Sequence, residues 1–147
     1  MRKLSLFACV ILAAAVAVVG CGGDDNPTKA EFLKDGNAAC KNGNKEINQA
    51  AKQIFTSKQK PSQAQLNKFA NDTLIPSIQG QIDDIRDLGT PSGDEDQVNA
   101  ILDDAQAALD KGKANPELLT SNNPKQDPFA KVNKEASAYG LTVCGSG

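Results

Sequence analysis

The stretch Leu66-Asn67-Lys68-Phe69-Ala70-Asn71-Asp72-Thr73-Leu74-Ile75-Pro76-Ser77-Ile78-Gln79-Gly80-Gln81-Ile82-Asp83-Asp84-Ile85-Arg86-Asp87-Leu88 decides the fold class. Its apolar residues Leu66, Phe69, Ala70, Leu74, Ile78, Ile82, Ile85 and Leu88 recur at three- and four-residue steps. That is the period of one helical face, not the two-residue alternation of a strand. The reading is a helix from about 62 to 88. Ser62-x-x-Gln65 opens it as a capping box, and Gly89 followed by Pro91 closes it. Pro76 lies inside the stripe, lacks an N–H and crowds the carbonyl of Asp72. A kink or break is expected there.

The segments on either side read the same way. Before it, a helix from about 28 to 56 carries Gly36, Cys40, Gly43, Ile47, Ala50 and Ile54 on one stripe, opened by the capping box Thr28-x-x-Glu31. Each interior glycine costs about 1 kcal/mol relative to Ala. The segment from 34 to 44 is therefore either a loop or a helix whose glycines admit another backbone. The second is favoured, because both glycines flank Cys40 on one face. After the central stripe, a helix from about 93 to 112 buries Val98, Ile101, Leu102, Ala105, Ala108 and Leu109. Ser92-x-x-Glu95 is its expected capping box, with Asp94, Glu95 and Asp96 at its positive end.

A short turn at 116–120 offers Leu118 and Leu119 as a plug or an exposed partner site, and a polar loop runs from Ser121 to Gln126. Asp127-Pro128 then starts a last helix from about 128 to 139, carrying Phe129, Val132, Ala136 and Tyr139. Gly140 stops it, and Leu141-Thr142-Val143-Cys144 reads as an extended tail. Helices joined by short connections pack antiparallel. The expectation is an all-α, four-helix, mostly up-and-down bundle.

The chain opens differently. Arg2 and Lys3 precede an uncharged run, Leu4 to Val19, which ends in Val18-Val19-Gly20-Cys21. A membrane-spanning helix needs about 20 apolar residues. This run is shorter and ends at small residues, which suits a processed leader. The pattern resembles the lipobox of bacterial lipoproteins, in which the leader is cut before the cysteine and the sulfur carries diacylglycerol. The resemblance implies a cleaved signal peptide over 1–20, lipid on Cys21, a flexible tether over 21–27 and a single helical domain over 28–147. Two acyl chains suffice for stable membrane anchoring.

Removing the 20-residue leader from 147 residues leaves 127, enough for one domain. Arg2 and Lys3 leave with it, so 16 basic residues become 14 against 18 acidic, a net charge of −4. No basic stripe is expected, and nucleic acid is not an expected partner. Of the four cysteines, Cys9 leaves with the leader and Cys21 is taken by lipid. Cys40 and Cys144 remain. Outside the cytoplasm they are expected to pair, the rivals being two buried free thiols or an intermolecular bond.

Thr28-Lys29-Ala30-Glu31-Phe32-Leu33 leading to Ala39-Cys40, the turn Leu88-Gly89-Thr90-Pro91, Asp127-Pro128-Phe129 and Tyr139-Gly140-Leu141-Thr142-Val143-Cys144 are similar to segments of small secreted and lipidated helical proteins of actinobacteria. That resemblance spans about 28–144. It implies a helical fold and a Cys40–Cys144 bond, and no activity.

The chain has no histidine, so Ser-His-Asp and Cys-His arrangements are impossible. The usual histidine-containing zinc sites go with them, and paired cysteines leave no thiolate ligand. Phosphate-cradling glycine motifs are missing, and the 93–96 segment lacks EF-hand spacing. Carboxylates remain. Asp83, Asp84 and Asp87 can meet Asp103 and Asp104 across a hairpin to hold a cation or form a glycosidase pair, or simply form a solvated acidic face. Tyr139 and Phe129 read as core, with a small ligand pocket as the alternative. No catalytic residue, cofactor or metal is expected.

The expected function is a non-enzymatic binding or scaffolding module. It would sit on the extracytoplasmic face of a membrane and meet an envelope protein or polymer. Alternatives are a carrier of a small apolar ligand inside the bundle and a carboxylate-based hydrolase of wall polysaccharide.

Overall fold

In the computed structural model, which describes residues 26–55 and 60–146, every regular element is helical. The leader over 1–20 and Cys21 lie outside the described residues. Helix α1 spans Lys29–Phe55 without interruption. Its capping box forms as expected. The Thr28 N–H donates to Glu31 Oε2 at 3.0 Å, and the Glu31 N–H donates to Thr28 Oγ1 at 3.3 Å. Gly36 and Gly43 are buried within the helix. A Cβ on Gly36 would lie 2.8 Å from Leu141 Cδ2, and one on Gly43 2.3 Å from Gln81 Nε2. The segment is helical, as favoured, but the glycines make room for the side chains of Leu141 in the tail and Gln81 in the central helix rather than for another backbone.

The central helix is continuous but changes pitch. Helix α2, Gln63–Phe69, passes through a π-helical turn, Ala70–Leu74, into α3, Ile75–Asp87. The Ser62–Gln65 capping box is present. The Ile75 N–H donates to Ala70 O, five residues back. The strain of Pro76 is thus taken up in the turn before it. A widened turn removes a partner that the ring could not supply and eases its clash with the preceding turn.

Helix α4 spans Glu95–Ala114 and begins with Asp94 in the cap position. The expected Ser92 capping box does not form. Glu95 Oε2 instead accepts from the Gly93 N–H at 2.7 Å. Helix α5 is a single turn, Glu117–Thr120, and α6 spans Ala130–Tyr139. Asp127 Oδ1 accepts from the Phe129 N–H at 2.8 Å, so the last helix begins two residues later than Asp127-Pro128 suggested. Gly140, at φ +117°, terminates it in the left-handed region. The tail is more compact than a straight extended run. It turns at 142–143 and ends in a 3₁₀ turn, Cys144–Ser146.

Side-chain contacts set the directions. Arg86 pairs with Asp103 while Gln79 reaches Gln106, so α3 and α4 run antiparallel. Asp94 meets Tyr139 and Asp104 meets Lys131, so α4 and α6 do as well. The tail packs on both α6 and α1 and closes the ring of helices. Cys40 and Cys144 are bonded, with Cα atoms 5.1 Å apart across 104 residues of chain. The fold is an all-α bundle with its C-terminal tail disulfide-linked to its first helix. No described helix is long and apolar enough to cross a membrane.

The core divides in two. One cluster joins Phe32, Cys40, Ile85, Val98, Ile101, Leu102, Val132, Ala136, Tyr139 and Leu141. The other has only Phe69, Ala70 and Leu74 buried, with Ile47, Ala50, Ile54, Ile78 and Leu119 partly covered around them.

Candidate functional site

A groove of about 610 Å³, open to solvent, lies beside the second cluster. Its floor is apolar, made by Ile47 of α1, Leu74 of the π turn, Ile78 of α3, Leu119 of α5 and Phe129. Its walls are amides: Asn44 and Asn48 on α1, Gln81 on α3, Asn122 and Asn123 in the loop, and Asn133 on α6. Among the described residues, the side chains of Asn48, Asn122 and Asn133 make no hydrogen bond. Among the described residues, Asp127 is the only ionisable side chain in the lining. Few polar groups around an apolar floor, in a volume of about 300–1,000 Å³, is the general form of a ligand site.

The tail supplies part of one wall through Cys144 and Ser146. Its backbone is held by Asn37 of α1, whose Nδ2 donates to Gly140 O at 3.0 Å and whose Oδ1 accepts from the Val143 N–H at 2.8 Å. The disulfide and this amide clamp therefore position the groove as well as closing the bundle.

Outside the groove, α1 carries Lys41, Lys45 and Lys52 on one exposed face beside Asn48 and Gln49. None of these ammonium groups has an ion-pair partner among the described residues. Residues three, four and seven apart share a helix face. Charge counting alone missed this row, because acidic residues elsewhere mask it. Asn44 and Asn48 belong to both surfaces, so the row and the groove are continuous.

The carboxylates do not converge. Asp103 pairs with Arg86 on α3 at 3.1 Å, whereas Asp104 accepts from Lys131 on α6 at 2.6 Å. The Lys131 hydrogen bond holds the Asp104 carboxyl below its ordinary range. Asp83 accepts from Gln79 at 3.0 Å, and Asp84 and Asp87 are exposed. Among the described residues, no group of three or more His, Cys, Asp or Glu is placed to hold a metal ion.

Phe129, at the cap of the last helix, and Tyr139, at its end, both pack on the first core cluster, as read from the sequence, and differ in exposure. Phe129 lines the groove, whereas Tyr139 is buried edge-to-face against Phe32, with ring centroids 6.1 Å apart. The Tyr139 hydroxyl donates to Asp94 Oδ2 at 2.8 Å, and Lys29 Nζ sits 3.0 Å from the same carboxylate and 4.2 Å from the ring centroid. Burial, then the Asp94 hydrogen bond, pushes the phenol well above the ordinary tyrosine range. The Tyr139 hydrogen bond, then Lys29, pulls the Asp94 carboxyl down. This cluster fixes the N-terminal end of α1 to α4 and α6. Leu119 lies over Gly112, where a Cβ would come within 2.5 Å of it, and the Leu118-Leu119 turn also lines the groove.

Comparison with protein families, with characterised proteins and with solved structures finds no match to this chain.

Proposed function

We propose that this chain is a non-enzymatic binding or scaffolding module held at the extracytoplasmic face of a bacterial membrane by lipid on Cys21, and that the groove is where it meets an envelope component. The observation that carries this reading is the groove, with its apolar floor, amide walls and single ionisable side chain. Asn44 lies about 22 Å along α1 from Lys29, at 1.5 Å per helical residue. An upright bundle tethered at its N-terminus presents the groove away from the lipid. The lipobox resemblance supplies the anchor, and the Cys40–Cys144 bond is in keeping with an oxidising compartment.

The test is photo-crosslinking in cells. A photoreactive side chain at Asn122, on the groove rim, is expected to give a discrete adduct, and one at Asp84 is expected to give none. Cys21→Ser should move both the protein and the adduct out of the membrane fraction. Equal labelling from the two positions, or none from the rim, overturns the reading. The apolar-carrier alternative draws on the floor residues alone. It predicts that a long-chain fatty acid, not a polar compound, protects the groove from labelling.

A further inference from the structure

We infer that the groove and the lysine row of α1 form one site for an anionic, hydroxyl-rich strand, that is, an acidic polysaccharide. The inference rests on the binding-module reading and names the ligand class for its site.

Two independent features lead there. An amide presents a donor and an acceptor side by side, and a sugar hydroxyl is likewise both. Asn48, Asn122 and Asn133 bring unused amides to the groove, while Ile47 and Phe129 offer an apolar surface for the C–H face of a ring. A small anionic metabolite would find no counter-charge inside, because among the described residues Asp127 is the only ionisable group there and carries the wrong sign. Asp127 can instead accept from a hydroxyl.

Lys41, Lys45 and Lys52 supply the counter-charge outside the groove, where a longer ligand must continue past Asn44 and Asn48. The row extends about 16 Å along the helix. That matches an extended chain better than a single headgroup. The row is also at odds with the acidic balance of the rest of the body: 16 basic residues less Arg2, Lys3 and the three row lysines leave 11 against 18 acidic.

The experiment measures binding of the full chain, in neutral detergent, to four probes. They are oligogalacturonate, neutral dextran oligomers, polyphosphate of matched charge, and anionic phosphatidylglycerol vesicles. Oligogalacturonate is expected to bind at least about tenfold more tightly than the others, with an affinity that falls as salt screens the exposed ammonium groups. The exposed triple variant K41Q/K45Q/K52Q should lower that affinity about tenfold and remove the salt dependence. The exposed pair Asn48→Ala and Asn122→Ala should lower it about fivefold and leave the salt dependence intact, as expected for lost neutral hydrogen bonds. A melting curve on each variant checks that the fold is retained.

Equal binding of polyphosphate or of vesicles overturns the inference in favour of charge alone or of a membrane surface. Equal binding of dextran removes the role of the lysines. No binding of oligogalacturonate overturns it outright. If a protein adduct still forms at Asn122 in cells, the ligand class falls while the module reading stands. If the rim gives no adduct either, both fall.

Discussion

The two ends of the bundle are built to different standards. At the sutured end, Phe32 is fully buried, Val98 is 1% exposed, and Cys40 and Leu141 are each 2% exposed. The tail is tied down there by a disulfide and by both ends of the Asn37 amide. At the groove end, Phe69 and Leu74 remain 7% and 9% exposed, and the surrounding aliphatics are only half covered. The tightest packing gathers around Phe32, Val98 and Leu141, and the disulfide joins that core, through Cys40, to the groove wall, through Cys144. A site needs apolar surface that is not already used, and a bundle can leave it open at one end if the other holds the fold together. The π turn belongs to the open end, and such turns recur at functional sites.

The largest expected effect comes from cutting the suture. Cys144→Ser should lower unfolding stability by about 4–5 kcal/mol, the loop-closure value for a bond spanning roughly 100 residues. Urea melts under non-reducing conditions read it directly. A loss below about 1 kcal/mol would mean that the tail is held by its other contacts, and the contrast between the ends would weaken.

Next come paired truncations. Phe32→Ala should cost about 3–5 kcal/mol, because its surroundings cannot collapse. Phe69→Ala should cost at least about 1 kcal/mol less, since its partly exposed neighbours can relax and water can enter. Equal losses would remove the distinction. Asn37→Ala follows at about 1–2 kcal/mol, from a tail carbonyl and a tail N–H each losing a partner. It should also speed hydrogen exchange at Val143 and leave exchange around Leu74 unchanged.

The smallest effect sharpens the comparison through pH. Tyr139→Phe should cost about 1 kcal/mol near neutrality, from one lost hydrogen bond. The folded-state pKa of Asp94 lies below its unfolded value, with the Tyr139 hydrogen bond as the main cause. Its contribution is therefore full above about pH 4, the unfolded carboxylate value, and is lost as pH falls through the lower folded value. Wild type and Tyr139→Phe should converge in acid. A gap that persists after Asp94 is protonated would assign the loss to packing instead.

Much of the architecture was readable from the order of residues. The stripe from Leu66 to Leu88, the glycines flanking Cys40 and the capping boxes at Thr28 and Ser62 are local patterns with local causes, and they appear where expected. The departures share a physical origin. Ser92 lost its capping role because Glu95 satisfied the Gly93 N–H, while Asp94 was drawn to Tyr139 and Lys29, which are distant in sequence. Pro76 did not break the helix because one turn could widen ahead of it, keeping Leu74 and Ile78 beside the same groove. The groove was not legible. Its amides come from α1, α3, the loop after α5, and α6, and singly each reads as ordinary surface. The lysine row could have been found, since 41, 45 and 52 share a helical face, but a net count of charge hides a local one.

By itself the sequence determined the helices and their polarity of packing, because period and caps act over a few residues. Only the tertiary structure decided which carboxylates meet which cations, that Phe129 also lines the groove while Tyr139 is buried, and that neutral amides from four elements gather around an open apolar floor. Those outcomes depend on how helices far apart in sequence settle against one another, and no short-range pattern encodes that.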